Sequence, residues 1–373
     1  MDAIQSLLTW ATTQGITINN VGPQALPGRG IGLVATAPLK KDDTVLDVPI
    51  PCLKTIATVP KSISRLFPKD APVHALLAAD IAFDASPSFA TWSAVFPTER
   101  DLLSCPLTWP PSLAAHLPPA ASALLSAQRE KFDAHWALVS AALPDLSHDA
   151  YRHAWLLVNS RTFYHVTPRT AKRPRDDHMV LQPVADLLNH SSRGCHVAFD
   201  TTSFTIRADR DYGPGEEIHI CYGRHSNDFL LVEYGFVMGE GENEWDEASL
   251  DDALLPRLGA AHRRRLEERG FMGKYVVDAE TVCYRTQAAL RTLVLPARRW
   301  ARFVDGFEDG EADQAEVDAL LRDILSAYDG EIAAKIETVS ESDEGEEFQR
   351  SMLVGRWRQI KNLVRATIQK LKA

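Results

Sequence analysis

A carboxylate, an amide and an imidazole fall within five positions in Asp186-Leu187-Leu188-Asn189-His190, directly behind the apolar lead-in Pro183-Val184-Ala185. Such residues hold ligands and steer protons, and they equally serve a turn and a hydrogen-bonded core histidine. A second cluster runs from Gly213-Pro214-Gly215-Glu216-Glu217-Ile218 to Cys221-Tyr222-Gly223, followed by Asn227 and Glu233-Tyr234-Gly235-Phe236. A tyrosine at a strand end before glycine can present its ring to a cation and its hydroxyl to a reacting amine; the alternative is an interface tyrosine with its hydroxyl in water.

Gly28-Arg29-Gly30-Ile31-Gly32 looks like a dinucleotide fingerprint, but that motif follows a strand and opens a helix. Here Pro27 precedes it and Val34, Thr36 and Pro38 follow, so it reads as a strand entrance or a plain turn where missing side chains let a ligand approach the backbone. Cys195, His196, His219 and Cys221 have the donor types of a zinc site. Adjacent Cys195 and His196 would point to opposite strand faces, so convergence needs a local distortion, and no metal is expected.

The elements that must position these residues are legible in the periodicity. Ile4, Leu7, Leu8 and Ala11 share one helical face before Gly15. Ile31–Val34 and Thr44–Val48 are β-branched runs around the polar turn Lys40–Asp43, predicting a hairpin or meander. Residues from about 60 to 165 read as a Pro-punctuated helical insert, strongest over 74–83, 120–143 and 147–164. After the basic loop Lys172–Arg175, strands return at 196–199, 204–208 and 218–221. Beyond about Ser249 the chain is helix-compatible, with capping-box chemistry at Asp313-Gln314-Ala315-Glu316 and an acidic stretch at Ser340–Glu347 that reads as a solvated loop or helix entry.

Composition narrows the function. The 373 residues carry 40 Lys and Arg against 50 Asp and Glu, a formal charge of -10, which disfavours sequence-independent phosphate binding and favours a basic partner surface. Arg257 and the run His262–Arg265 therefore read as an exposed helix face paired with Glu267 and Glu268 rather than as a nucleic-acid patch. The richest apolar run, Phe229–Val232, stops at Glu233, so no membrane span is expected. The start, with Asp2 and no early Arg or Lys, is unlike a signal or transit peptide, and the five widely spaced cysteines are no disulfide framework. The expected location is cytoplasmic or nuclear, with reduced thiols.

Taken together and in this order, the clusters resemble the SET-domain protein methyltransferases, specifically the group of the Rubisco large-subunit lysine methyltransferase. The resemblance spans about residues 20 to 240 and includes Arg161 and Phe163 in Ser160-Arg161-Thr162-Phe163. It implies an α+β fold: a β-rich, pseudoknotted SET domain over 1–245 with the helical insert at about 60–165, then an all-helical C-terminal substrate-binding domain over 246–373. It implies S-adenosylmethionine as cofactor, lined by Arg29, Gly30, Ile31 and Gly32, with its adenine held by Asn189 and His190 and packed by Phe236. Tyr222 matches the catalytic tyrosine. Arg161, Phe163, Asp186, Phe199 and Tyr234 match the surroundings of the acceptor channel.

The chemistry implied is methyl transfer to a lysine amine, whose ordinary pKa near 10.4 requires a site that favours the neutral form and excludes water. Positioning supplies much of the barrier reduction, without a metal. Cys283 is the only cysteine beyond Cys221, unlike histone-directed members with a cysteine-rich zinc segment, so a non-histone acceptor such as a ribosomal protein or translation factor is implied. Phe199 stands where the Rubisco-type enzymes have a channel tyrosine, which gives room for a higher methylation state. Ala185 stands where actin-directed histidine methyltransferases carry tryptophan, which favours lysine over histidine. The remaining alternative is a catalytically silent protein-binding module. The partner expected is a protein, with no nucleic acid and no membrane, and the chain is expected to act as a monomer.

Overall fold

The computed structural model describes residues 2–372, which fall into two compact units. The first comprises the chain up to Leu103 together with Ala127–Arg224. Its N-terminal helix, Ala3–Thr13, buries Leu7 and Ala11 and stops before Gly15, whose φ of +82° suits the left-handed exit. Strands β1 (Thr17–Ile18), β2 (Val21–Leu26), β3 (Gly30–Ala35) and β4 (Thr44–Pro49) follow.

The expected pairing of β3 with β4 is not what forms. β3 makes its hairpin with β2, through a turn in which Leu26 faces Gly30. The turn at Lys40–Asp43 is held elsewhere: the Lys41 amide donates to Asp211 Oδ1 at 2.9 Å and the Asp42 amide to the Ala208 carbonyl at 2.8 Å. Those bonds carry β4 to the far side of the sheet.

The insert contributes the helices Val73–Phe83, Pro87–Ser93 and His148–Arg161, and its helix Pro119–Ala142 passes from one unit to the other between Ser126 and Ala127. Ser147 caps the third of these, its Oγ accepting from the Ala150 amide at 3.2 Å, and the extended Thr162 ends it. This puts Arg161 in the last turn and Phe163 on a short strand, β5 (Phe163–Tyr164), paired with β6 (Met179–Val180).

Strands β7 (Asn189–Phe199), β8 (Ser203–Arg207) and β9 (Glu217–Ile220) complete a seven-stranded sheet of order β1-β4-β8-β7-β9-β3-β2. Within it β7 runs antiparallel to β8 and parallel to β9. Both His190 and Cys195 register against Ile220, so the residues between them bulge out. Gly194 makes the crossing possible: a Cβ there would sit 2.5 Å from the His219 carbonyl oxygen and 2.8 Å from the Ile220 Cα. Leu33, Leu46, Val48, Phe204, Ile206 and Ile218 are fully buried and form the sheet's core.

The second unit comprises Ser104–Ser126 with the chain from His225 onward. Its core is built on the helices Gln314–Glu341 and Glu347–Lys370, with Leu321, Leu325, Ile332, Leu353 and Val364 fully buried. The helical region also carries a two-stranded ribbon, β10 (Glu247–Ser249) with β11 (Val276–Asp278). Among the described residues no helix is long and apolar enough to cross a membrane.

Two local expectations are corrected here. Asp313 does not cap its helix; its carboxylate pairs with Arg291 at 2.9 Å and Arg299 at 3.2 Å. The capping box instead forms at Glu346 and Gln349, at the end of the acidic stretch. Arg263 and Arg265 turn to the Leu258 carbonyl at 2.9 Å and to Thr292 Oγ1 at 3.0 Å, because helix-end carbonyls and a buried hydroxyl need donors more than exposed glutamates do. Arg356, fully buried, forks onto both Asp228 oxygens at 2.8 and 3.1 Å and reaches Asp246 Oδ2 at 2.8 Å.

Candidate active site

The crossing of β7 and β9 sets Asn189 beside His219 and His190 beside Ile220, with Tyr222 two residues beyond the end of β9. The Tyr222 amide donates to His190 Nδ1 at 3.0 Å, and its hydroxyl donates to the Leu188 carbonyl at 2.6 Å. Because Nδ1 accepts a backbone N–H, a neutral His190 carries its proton on Nε2. Burial pushes the Tyr222 phenol up to about 12, with Asp186 and Glu217 adding to the shift and Arg161 opposing it. The phenol is therefore protonated and neutral at physiological pH.

Asp186 lies in the single turn Ala185–Leu187, entered through Val184 at φ 70°, ψ −43°. A β-branched residue at positive φ is a strained, γ-turn-like conformation that the packing around it must hold. Asp186 is buried. Its Oδ2 accepts from the Trp92 indole at 3.0 Å, Oδ1 has no hydrogen-bond partner, and its carbonyl accepts from Arg161. Burial pushes its carboxyl up to about 6, against the opposing Arg161 charge and the Trp92 donor.

The glycine segment meets the same strands through one carboxylate. Glu217 accepts from Asn189 Nδ2 at 2.8 Å on one oxygen; the other lies 2.8 Å from Arg29 and 3.3 Å from His219 Nε2. A Cβ on Gly32 would fall 2.8 Å from Asn189 Nδ2 and 2.9 Å from Glu217 Oε1, so only glycine lets β3 lie this close. At Gly28 and Gly30, both at positive φ, a Cβ would meet nothing within 4 Å. The turn's backbone is thus open while its far end is clamped.

Phe163 and Phe199 converge on the buried Phe204, with ring centroids 5.1 and 4.6 Å from it, and His165 stacks on Phe199 at 3.9 Å. Tyr234 and Phe236 lie in the second unit, at and just past the end of the helix Asn227–Tyr234, with rings 6.3 Å apart. Cys195 is buried against Asp209 and Tyr212, whereas Cys221 is exposed, and no group of three or more metal-ligating side chains gathers among the described residues.

Two residues escaped the sequence reading. Glu217 had a weak signal, since it shares a strand face with His219 and is charged beside an apolar run. Trp92 had none, because its contact with Asp186 spans 94 positions.

Comparison with known proteins places this geometry in a family. The SET domain model matches residues 30–223, and the model of the Ribosomal lysine N-methyltransferase 2 C-terminal domain matches 249–370. Ribosomal lysine N-methyltransferase set11 of Schizosaccharomyces pombe is 28% identical over 47% of this chain and 48% of its own. SET domain-containing protein 4 of Mus musculus is 27% identical over 93% of this chain and 86% of its own. The solved structure of Rubisco LSMT bound to AdoMet superposes with a TM-score of 0.67 at 16% identity, covering all of this chain and 92% of that one.

Proposed function

The chain belongs to the SET-domain family, and on that premise we propose that it is a protein-lysine N-methyltransferase using S-adenosylmethionine, with a non-histone protein as acceptor. The observation that carries the reading is the β7–β9 crossing, which gathers Asn189, His190 and Tyr222 around the buried Asp186–Arg161 contact.

The residues present fit the cofactor. No atom lies within 4 Å of where a Cβ would sit at Gly30, which leaves room for a ligand at the turn, and Gly32 lets β3 lie against Asn189. Arg29, Gly30, Ile31, Gly32, Asn189 and His190 would hold the cofactor. When bound, it supplies an electrophilic methyl group on a positively charged sulfonium.

The chain's own residues then handle the acceptor. Tyr222, protonated and fixed by Leu188 and His190, lends the site an oriented hydroxyl that neither takes up charge nor swings away. Phe163 and Phe199 offer apolar aromatic walls that exclude water and favour the uncharged amine. Arg161 fixes the turn that carries Asp186. Ala185 stands, fully buried, where the actin-directed histidine methyltransferases carry tryptophan, which supports lysine rather than histidine as acceptor.

A ribosomal protein or translation factor is the acceptor class we favour, supported by the names of the relatives and by the C-terminal model that matches. The test is transfer of labelled methyl into a cell lysate, with mass spectrometry of the labelled residue. Methyl-lysine in one non-histone protein supports the reading; methyl on a histidine ring overturns the lysine assignment.

A further inference from the structure

We propose that Trp92 is a positioning residue for the transfer: its indole N–H holds one oxygen of Asp186, so that the other, Oδ1, is left to face the acceptor amine. This rests on the reading of the chain as a methyltransferase.

The geometry divides the carboxylate. Oδ2 is taken by Trp92 Nε1 at 3.0 Å, and the Asp186 carbonyl is taken by Arg161, so neither the side chain nor the turn can rotate. Oδ1 is buried with no hydrogen-bond partner. A buried carboxylate oxygen without a donor is unfavourable, and an incoming amine carries the N–H groups that would satisfy it. The charged or titratable groups facing Asp186 are Arg161 and the Tyr222 phenol, and neither donates to Oδ1; the amides of Val184 and of Asp186 itself lie beside the carboxylate and also favour its ionised form.

Trp92 is itself held rigidly. It is 3% exposed, with the Phe89 ring 6.0 Å away and the Phe96 ring 5.6 Å away, both edge-on. Its helix, Pro87–Ser93, is capped by Ser86. The helical insert therefore reaches Asp186 twice, through Arg161 on its carbonyl and through the Trp92 indole on its carboxylate, and the second bond favours the ionised form and fixes its plane.

The experiment follows the indole 15N–H resonance of Trp92 in the full chain from pH 4 to 8, in wild type and in Asp186→Asn, beside methyl transfer by wild type and Trp92→Phe. The expected result is a resonance that titrates near pH 6 in wild type and is flat in Asp186→Asn. Trp92→Phe is expected to lose about 10- to 100-fold in kcat/KM at neutral pH, the scale of one hydrogen bond to a charged group, while its Kd for S-adenosylmethionine stays within about twofold. That loss should shrink as pH rises. A resonance indifferent to pH and to Asp186→Asn overturns the proposal, as does Trp92→Phe with unchanged kcat/KM. The resonance arm needs no change at Trp92, so it decides even if Trp92→Phe fails to fold. A wild-type chain that binds the cofactor but transfers no methyl to any acceptor overturns both the function and the role; transfer with an insensitive resonance overturns the role alone.

Discussion

Tyr222 and His190 are joined by more than proximity: the amide of one donates to Nδ1 of the other at 3.0 Å, and their rings lie 5.1 Å apart. The imidazole acts here as an acceptor that pins the strand end, and the tyrosine hydroxyl donates to the Leu188 carbonyl. Since β7 and β9 are brought side by side only by the sheet, the integrity of their crossing is a condition for chemistry at Tyr222.

Gly32→Ala tests the clamp between the glycine turn and that crossing. The added Cβ would lie 2.6 Å from Leu26 Cδ1 as well as against Asn189 and Glu217. Overpacking of this kind costs about 1–3 kcal/mol. The variant is expected to melt earlier and to lose cofactor affinity measured by calorimetry, whereas Gly28→Ala, with open space around it but a φ of +73°, should cost about 1–2 kcal/mol of backbone strain and leave the packing at Asn189 and Glu217 intact.

Arg356→Met tests the buried fork in the second unit. It strands Asp228, which is 1% exposed, and removes the bond to Asp246. Breaking a buried ion pair from one side costs about 3–5 kcal/mol. Chemical denaturation should show that loss, and Asp228→Asn combined with Arg356→Met should recover part of it.

Acid should weaken the insert. His135 Nδ1 accepts from the Trp155 indole at 3.1 Å, which requires that nitrogen unprotonated, while His74 Nε2 donates to the Trp155 carbonyl at 3.0 Å and is kept neutral by burial against that bond. Burial, with the Lys131 charge adding to it, pulls His74 well below its usual range and His135 down to about 4. Folded-state pKa values below the unfolded value mean that the native state binds fewer protons, so stability is complete above about pH 6.5 and falls as pH drops toward 4. For His135 that amounts to roughly 3 kcal/mol. Asp186, raised rather than lowered, works in the opposite direction over the same range. The melting temperature is expected to decline below pH 6.5, and less steeply in His135→Asn; an equal decline in both contradicts the assignment.

Phe199→Tyr bears on product state. Phe199 is packed between His165 and Phe204; under the proposed assignment of this ring to the acceptor channel, a hydroxyl at its tip adds a polar contact there. Intact-mass measurement of the methylated acceptor should show wild type proceeding past monomethyl-lysine and Phe199→Tyr stopping earlier.

The strands and helices were legible in the sequence where the signal is local, as in the amphipathic helix before Gly15 and the insert helix ending at Arg161. Strand order was not: β3 and β4 have the periodicity of a hairpin, and only their distant partners β9 and β8 separate them. The start of β7 was also missed, because Asn189–Gly194 is polar and irregular and its pairing comes from the crossing with β9. In the site, Asp186, Asn189, His190 and Tyr222 stood out by density and residue type. Glu217 and Trp92 act through contacts that no spacing records. Asp313 had the right residue for a cap, but two arginines compete for it more strongly than backbone amides do.

The central claim is tested most directly by Tyr222→Phe. Calorimetry with S-adenosylmethionine, beside transfer of its labelled methyl to the acceptor, separates binding from turnover. The account predicts a Kd within about threefold of wild type and a rate lower by about 10²–10³, the scale for removing one oriented hydroxyl. A Tyr222→Phe chain that methylates at the wild-type rate contradicts it.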